Sequence, residues 1–137
     1  MSRPKSLAVI GLGSFGEALA LQACADGIRV LAIDKNKRLV DRMSSELHNT
    51  MQADARDRKA LRDCALDDQD TVVIAIGGDK EASLLAAEHA VGLGATQIIA
   101  KAQTDSQASI LRKIGVHRII LPESDAGRDL ARELTAG

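Results

Sequence analysis

The chain has 137 residues, of which 45% are hydrophobic and 27% charged, and its formal net charge is −1. These values are typical of one globular domain and exclude a disordered chain. The nearly neutral charge gives no general attraction to nucleic acid, and Phe15, the only aromatic residue, offers little surface on which bases could stack. The apolar runs are too short to span a bilayer, no signal peptide is expected, and two isolated cysteines suit a reducing cytoplasm.

Six strand patterns alternate with six helical patterns, which predicts a parallel sheet with helices on both faces. The predicted strands are 6–10, 29–33, 50–53, 71–76, 97–100 and 117–121. The predicted helices are 14–26, 35–47, 57–64, 80–93, 106–114 and a last helix that Ser124 or Asp125 caps and that ends near Leu134. The expected fold class is α/β, a Rossmann-like doubly wound six-stranded sheet in the order 3-2-1-4-5-6.

The first predicted strand leads into a glycine turn and then into a helix rich in Ala and Leu. Gly11 allows the sharp turn, Gly13 removes a side chain where phosphate would lie, and Gly16 lets the helix pack closely on the strand. The second strand ends in Asp34, roughly 20 residues further on, where a carboxylate can bind ribose hydroxyls. This context predicts a dinucleotide-type site at the helix N-terminus, rather than a turn that serves packing alone.

Further residues follow later strands at the same predicted edge of the sheet. Gly77 and Gly78 form either a ligand wall or a plain turn, and Asp54 either faces an adenine or caps the next helix. Lys101 either meets a phosphate or ends in solvent, and Glu123 either binds a divalent cation or begins the last helix. Each pair of interpretations stays open at this point.

Catalytic machinery is not visible in the sequence. The three histidines, His48, His89 and His117, have no metal-ligand spacing and are expected in solvent or at strand edges. No residue set supplies a general acid, a base and a place for substrate. The sequence therefore indicates a nucleotide receptor without a visible reaction.

Several longer motifs resemble the domains that regulate potassium conductance, which are called RCK, KTN or TrkA-N domains. The motifs lie at residues 11–16, 32–34, 53–55, 73–77, 99–102, 114–120 and 122–127. The Pro-Glu pair that follows the sixth strand is more specific to this family than the glycines are. The resemblance covers essentially the whole chain and is nearest to the cytosolic subunits of Ktr and Trk potassium uptake systems.

This resemblance implies a non-enzymatic, cytoplasmic gating subunit that binds an adenine nucleotide and acts on a membrane potassium transporter. Family members form dimers, often within an octameric ring, and ligand exchange changes the dimer hinge and so the ring. Relatives usually continue into a smaller C-terminal domain, which is expected to be absent from residues 1–137. An NAD-dependent oxidoreductase, or its nucleotide-binding half, is the alternative, and a redox sensor that controls DNA is disfavoured by the charge balance.

Matching positions in the family imply a site in which the glycines hold phosphates, Asp34 the ribose and Asp54 the adenine. ATP-sensing relatives often carry an Arg that helps to bind the terminal phosphate, and this chain has Ser14 at that position. The resemblance therefore implies no selectivity for ATP, and ADP, AMP and NAD(H) are expected ligands as well. Glu123 would lie near the dimer interface, where some relatives place a divalent cation. The complete predicted cofactor site is Gly11, Leu12, Gly13, Ser14, Phe15, Gly16, Asp34, Lys35, Asp54, Ala55, Ile76, Gly77 and Lys101.

The last predicted helix carries Leu130 and Leu134 four residues apart, and hence on one face. In the resembling family the helix after the sixth strand meets a neighbouring subunit. We therefore expect a homodimer with both leucines in or near the contact, although the same helix would cover its own sheet in a monomer.

Overall fold

The computed structural model describes residues 3–137, which form one six-stranded parallel sheet with helices on both faces. The strands are β1 (Ser6–Ile10), β2 (Arg29–Asp34), β3 (Asn49–Gln52), β4 (Thr71–Ile74), β5 (Ile98–Lys101) and β6 (Arg118–Ile120). The α-helices are α1 (Ser14–Ala25), α2 (Lys37–Ser44), α3 (Arg58–Asp63), α4 (Lys80–Gly92), α5 (Asp105–Ile114) and α6 (Pro122–Thr135), and a 3-10 turn spans Leu66–Asp68. The strand order is β3-β2-β1-β4-β5-β6, which confirms the predicted fold class and topology.

Two separate apolar cores lie on the two faces of the sheet, because successive side chains of a strand point to opposite faces. Ala8 and Ile10 of β1 belong to the core that α3, α4 and α5 cover. Leu7 and Val9, the alternate residues of the same strand, belong to the core that α1 and α2 cover. All residues of β1 and β4 are buried, so these central strands form a rigid base for the loops at their carboxyl ends.

The start of α6 differs from the sequence prediction. The helix begins at Pro122 with Leu121 as its N-cap, so the prediction that Ser124 or Asp125 caps it was wrong. Proline is favoured at the first helical position because its missing N–H would have no helical partner there and its φ angle suits a helix. None of the residues of α6 is buried, so this helix extends from the sheet edge without being covered.

Two other boundaries move residues into the loops at the carboxyl edge of the sheet. Helix α2 begins at Lys37 rather than Lys35, because the side chain of Asn36 accepts a hydrogen bond from the backbone N–H of Arg38 at 3.0 Å and caps the helix. Strand β4 ends at Ile74, two residues earlier than predicted. Lys35 and Ile76 therefore lie in loops rather than in regular elements.

Candidate nucleotide-binding site

The glycine turn after β1 has the tight geometry that its sequence predicts. Gly11 has a φ of +103°, and a Cβ there would lie 2.9 Å from the backbone nitrogen of Ile76. A Cβ on Gly16 would lie only 1.8 Å from the carbonyl oxygen of Gly11. A Cβ on Gly13, by contrast, would have no heavy atom of the described chain within 4 Å. Gly11 and Gly16 are thus required for packing, whereas the space beside Gly13 is open.

The open space beside Gly13 lies at the N-terminus of α1. Gly13 is the N-cap of this helix and has no side chain with which to accept from the first-turn N–H groups. The first N–H groups of a helix have no partner within the helix, and the helix dipole places partial positive charge at this end. The turn therefore offers free donors and a favourable field to an anionic group.

Asp34 joins the end of β2 to the glycine turn. Its Oδ2 accepts a hydrogen bond from the backbone N–H of Leu12, and its Oδ1 accepts one from the backbone N–H of Asn36, each at 2.8 Å. A carboxylate has about four lone-pair sites, so further acceptor capacity remains for a ligand. The side chain is thus held in place before any ligand binds.

A cavity of about 280 Å³ opens between these elements at the carboxyl edge of the sheet. It lies where β1 and β4 are neighbours although they are distant in the chain, which is the switch point at which doubly wound sheets bind ligands. The lining residues are Ile10, Gly11, Leu12, Gly13, Asp34, Lys35, Leu39, Ala53, Asp54, Ala55, Ala75, Ile76, Gly77, Gly78, Asp79 and Ala82. Nine of the thirteen predicted cofactor residues are in this set: Gly11, Leu12, Gly13, Asp34, Lys35, Asp54, Ala55, Ile76 and Gly77.

The other four predicted cofactor residues, Ser14, Phe15, Gly16 and Lys101, are not among the lining residues. Lys101 is buried, and its Nζ lies 5.6 Å from the centre of the Phe15 ring and 3.0 Å from Oε1 of Glu123. A Cβ on Gly77 would lie 3.3 Å from the same Nζ. The Lys101 ammonium therefore lies behind the Gly77 wall of the cavity and connects that wall to the first turn of α6.

Glu123, the predicted cation ligand, is engaged by an amino group in this structure. The hydrogen bond from Lys101 lowers the pKa of the Glu123 carboxyl below its ordinary value. Among residues 3–137, no three His, Cys, Asp or Glu side chains come together in a way that would hold a metal ion.

Asp54 lies in the cavity wall after β3 and is paired with Arg56. Oδ2 of Asp54 is 2.9 Å from Nη2 of Arg56, and Oδ1 accepts from Nε at 3.2 Å and from the backbone N–H of Arg56 at 3.0 Å. These hydrogen bonds lower the pKa of Asp54 to about 2. The cap of α3 is Asp57 rather than Asp54, so Asp54 remains at the cavity.

Three residues support the cavity without having been singled out for it in the sequence. Arg56 pairs with Asp54, and the backbone carbonyl of Arg56 lies 2.9 Å from Nε2 of His89 on α4. The side-chain amide of Gln103 donates to the carbonyl of Gly77 at 2.6 Å. No signal in the sequence pointed to these pairings. Arg56 and His89, and Gln103 and Gly77, are 26 or more residues apart, and Arg56 and Asp54 lie in an irregular loop.

The TrkA-N domain family model matches residues 7–122. The chain is 38% identical over 130 residues to Ktr system potassium uptake protein A of Vibrio alginolyticus, and 32% identical over 132 residues to Ktr system potassium uptake protein C of Bacillus subtilis (strain 168). These alignments cover 95% and 96% of this chain but 59% and 60% of the relatives. The chain thus spans about three fifths of the length of the curated relatives it matches.

Solved structures share the fold at low sequence identity. The TrkA-N domain of inner membrane protein ybaL from Escherichia coli has a TM-score of 0.85 at 16% identity, covering 98% of this chain and 99% of that one. The Shewanella denitrificans Kef CTD in its AMP-bound form has a TM-score of 0.79 at 20% identity, covering 96% and 80%. The GsuK channel bound to NAD has a TM-score of 0.75 at 11% identity, covering 86% and 21%.

Proposed function

The chain belongs to the TrkA-N domain family, and from this premise we propose that it is a nucleotide-binding regulatory domain of a potassium uptake system. The observation that carries the proposal is the cavity at the switch point, which an open helix N-terminus and the fixed carboxylate of Asp34 both line. The Ktr uptake proteins among its relatives indicate the transported ion and the kind of partner, a membrane potassium transporter.

The ligand we propose is an adenine nucleotide, either AMP, ADP, ATP or NAD(H). Its phosphates would lie at the N-terminus of α1 beside Gly13, and its ribose hydroxyls would donate to Asp34. The adenine would lie between Leu39 on α2 and the Ala53–Ala55 segment, which both line the cavity. AMP and NAD are bound in two solved structures of the same fold, which supports this ligand class.

A receptor fits the cavity better than an enzyme does. Its ionisable lining residues are Asp34, Lys35, Asp54 and Asp79. The three carboxylates already hold loops or a helix cap through hydrogen bonds, Asp79 by accepting from the backbone N–H of Ala82 at 3.0 Å. An acid or base of an oxidoreductase would need a group that is free to exchange a proton with substrate. We therefore infer a regulatory role, with the oxidoreductase as the alternative that a hydride-transfer assay addresses.

Signal transfer requires that the ligand favour one conformation of the assembly over another. A physical connection supports this role, because Lys101 Nζ lies beside Gly77, 3.3 Å from where a Cβ on that glycine would be, and pairs with Glu123 in the first turn of α6. The leucines at positions 130 and 134 of α6 are 54% and 76% exposed. We propose that this exposed face of α6 forms a homodimer contact, as the unit from which a ring is built.

A divalent cation at Glu123 is part of the same proposal. It would replace Lys101 at the Glu123 carboxylate, and its remaining ligands would come from a second subunit.

Among residues 3–137 no helix has the length and apolar character needed to cross a membrane. We propose that the domain acts at the cytoplasmic face of the membrane through its transporter partner.

The decisive experiment is to purify the protein, denature it and identify the released nucleotide by mass spectrometry. Titration calorimetry with AMP, ADP, ATP, NAD and NADH on nucleotide-free protein then ranks the ligands. We expect at least one to bind and the protein to co-purify with a membrane potassium transporter. Failure of all five to bind would refute the nucleotide proposal, and turnover of NADH with a small substrate would favour the oxidoreductase.

A further inference from the structure

The cavity contains an excess of negative charge that is unfavourable for a nucleotide. Three carboxylates line it, Asp34, Asp54 and Asp79, against the one ammonium of Lys35. A nucleotide brings two or more negative charges on its phosphates, and like charges at the short distances within one cavity repel. The carboxylates thus oppose the anion that the N-terminus of α1 favours, and a group that offsets one of them strengthens binding.

Asp34 and Asp79 are held by backbone N–H groups, which carry partial charge only. Asp54 is different because a full positive charge contacts both of its oxygens. The Arg56 guanidinium meets Asp54 through Nη2 at 2.9 Å and Nε at 3.2 Å, and the Arg56 backbone N–H donates to the same carboxylate. Asp54 is thus the cavity carboxylate whose charge a side chain of the opposite sign directly cancels.

Arg56 is fixed from a second direction by α4, which lies across the loop. Nε2 of His89 donates to the backbone carbonyl of Arg56 at 2.9 Å. The hydrogen bond to Asp54 raises the pKa of the Arg56 guanidinium, and the charges of Asp79 and Glu81 at the start of α4 act in the same direction. The guanidinium therefore lies in the field of carboxylates from its own loop and from the start of α4.

Stability of the fold does not account for this arrangement. The side chains of Arg56 and Asp54 are 44% and 39% exposed, and ion pairs as exposed as this contribute about 0–1 kcal/mol. A bound nucleotide adds negative charge that the unliganded fold does not contain, so the pair can affect the binding of an anion without stabilising the fold.

We propose that Arg56 is a positioning residue that neutralises Asp54 and so permits an anionic nucleotide to occupy the cavity. This inference rests on the proposed nucleotide-binding function and adds a residue that acts through Asp54 rather than through the ligand. It predicts that the effect of Arg56 scales with the charge of the ligand. It also predicts that removing the Asp54 charge removes the need for Arg56.

The test is titration calorimetry with adenosine, AMP and ADP on the wild-type protein and three variants. Arg56→Ala leaves the Asp54 charge uncompensated, and Asp54→Asn with Arg56→Ala removes both charges. Arg128→Ala is the matched control, because Arg128 forms a similar exposed ion pair with Asp125 on α6. Each titration is run at low and at high ionic strength.

For Arg56→Ala we expect ADP affinity to fall about fivefold to tenfold, AMP affinity to fall less, and adenosine affinity to change less than about twofold. High salt should reduce the ADP deficit because it screens exposed charges. The double variant should regain most of the ADP affinity. Arg128→Ala should behave as the wild type does.

Two results would overturn the inference while leaving the proposed function intact. One is an Arg56→Ala protein that binds ADP as the wild type does. The other is an equal loss for adenosine and ADP that Asp54→Asn does not relieve, which would show direct ligand contact or loop support. A wild-type protein that binds neither AMP nor ADP, nor any of the other nucleotides, would overturn the inference together with the proposed function.

Discussion

Gly13→Ala should separate ligand binding from folding. Gly13 has a φ of −71°, which alanine adopts readily, and a Cβ at this position has no heavy atom of the described chain within 4 Å. Alanine is a poorer N-cap than glycine by up to about 1.5 kcal/mol, while its less flexible unfolded chain returns about 0.4–1 kcal/mol. These effects largely offset each other, so we expect the free energy of unfolding to change by about 1 kcal/mol or less.

Nucleotide affinity should fall much more than stability does. The new methyl group occupies the open space at the N-terminus of α1, where a phosphate would accept from backbone N–H groups. Loss of one hydrogen bond to a charged group costs about 1.5–3 kcal/mol. Since 1.4 kcal/mol corresponds to a factor of ten, the dissociation constant for ADP or NAD should rise by roughly 10-fold to 150-fold.

Calorimetry with ADP and NAD, paired with thermal unfolding, measures both effects. Gly127→Ala is the matched control, because its Cβ also meets no heavy atom of residues 3–137 within 4 Å but lies on α6, which does not line the cavity. Gly16→Ala should show the opposite pattern, with strong destabilisation, since its Cβ would lie 1.8 Å from the Gly11 carbonyl oxygen. Unchanged affinity of Gly13→Ala for every nucleotide that the wild type binds would place the phosphates elsewhere and refute the reasoning.

Three further predictions concern other parts of the molecule. Asp34→Ala should weaken nucleotide binding by about 1.5–3 kcal/mol, because it removes hydrogen bonds to a charged group. The wild-type protein should prefer NAD to NADP, because the Asp34 carboxylate repels a 2′-phosphate, and equal affinities for NAD and NADP in calorimetry would contradict this assignment. Leu130→Glu with Leu134→Glu should shift a dimer toward monomer while nucleotide binding stays measurable, and a wild-type chain that is monomeric at high micromolar concentration in light scattering would assign α6 no role in self-association. Arg56 holds the pKa of Asp54 at about 2, below its ordinary value of 3.8, so the pair is intact at neutral pH and is lost as the pH falls through about 2. An NMR titration should find this midpoint, and Arg56→Ala should raise it toward 3.8.

Much of the fold follows from local chemistry that the sequence displays directly. The glycine spacing, the apolar strands and the helices between them predicted the strand order, since parallel strands need crossovers and the glycine fingerprint belongs to one topology. The same reasoning brought Gly11, Gly13 and Asp34 to one place, because the glycines follow β1 and Asp34 ends the adjacent strand β2 at the same edge of the sheet.

Helix boundaries were less accessible because each depends on competition between neighbouring residues. Leu121 rather than Ser124 became the N-cap of α6, since proline tolerates the first helical position that lacks an N–H partner. Asn36 likewise took the cap of α2 and left Lys35 in the cavity wall.

What the sequence determined by itself is the sheet, its glycine turn and the acidic residue that ends β2, because apolar strand runs and a glycine turn are local features of the chain. The tertiary structure decided the partner of each long charged side chain. Lys101 ends β5 at the predicted edge, yet it is not among the residues that line the cavity. Its ammonium lies over the Phe15 ring and forms an ion pair with Glu123. Arg56 is half-exposed in a loop of alternating charge, yet it pairs with the carboxylate in that wall and is held by His89 from α4. A long charged side chain has several oppositely charged residues near it in the sequence, and their interaction energies are similar. Only the packing of distant elements determines which of these partners lies within contact distance.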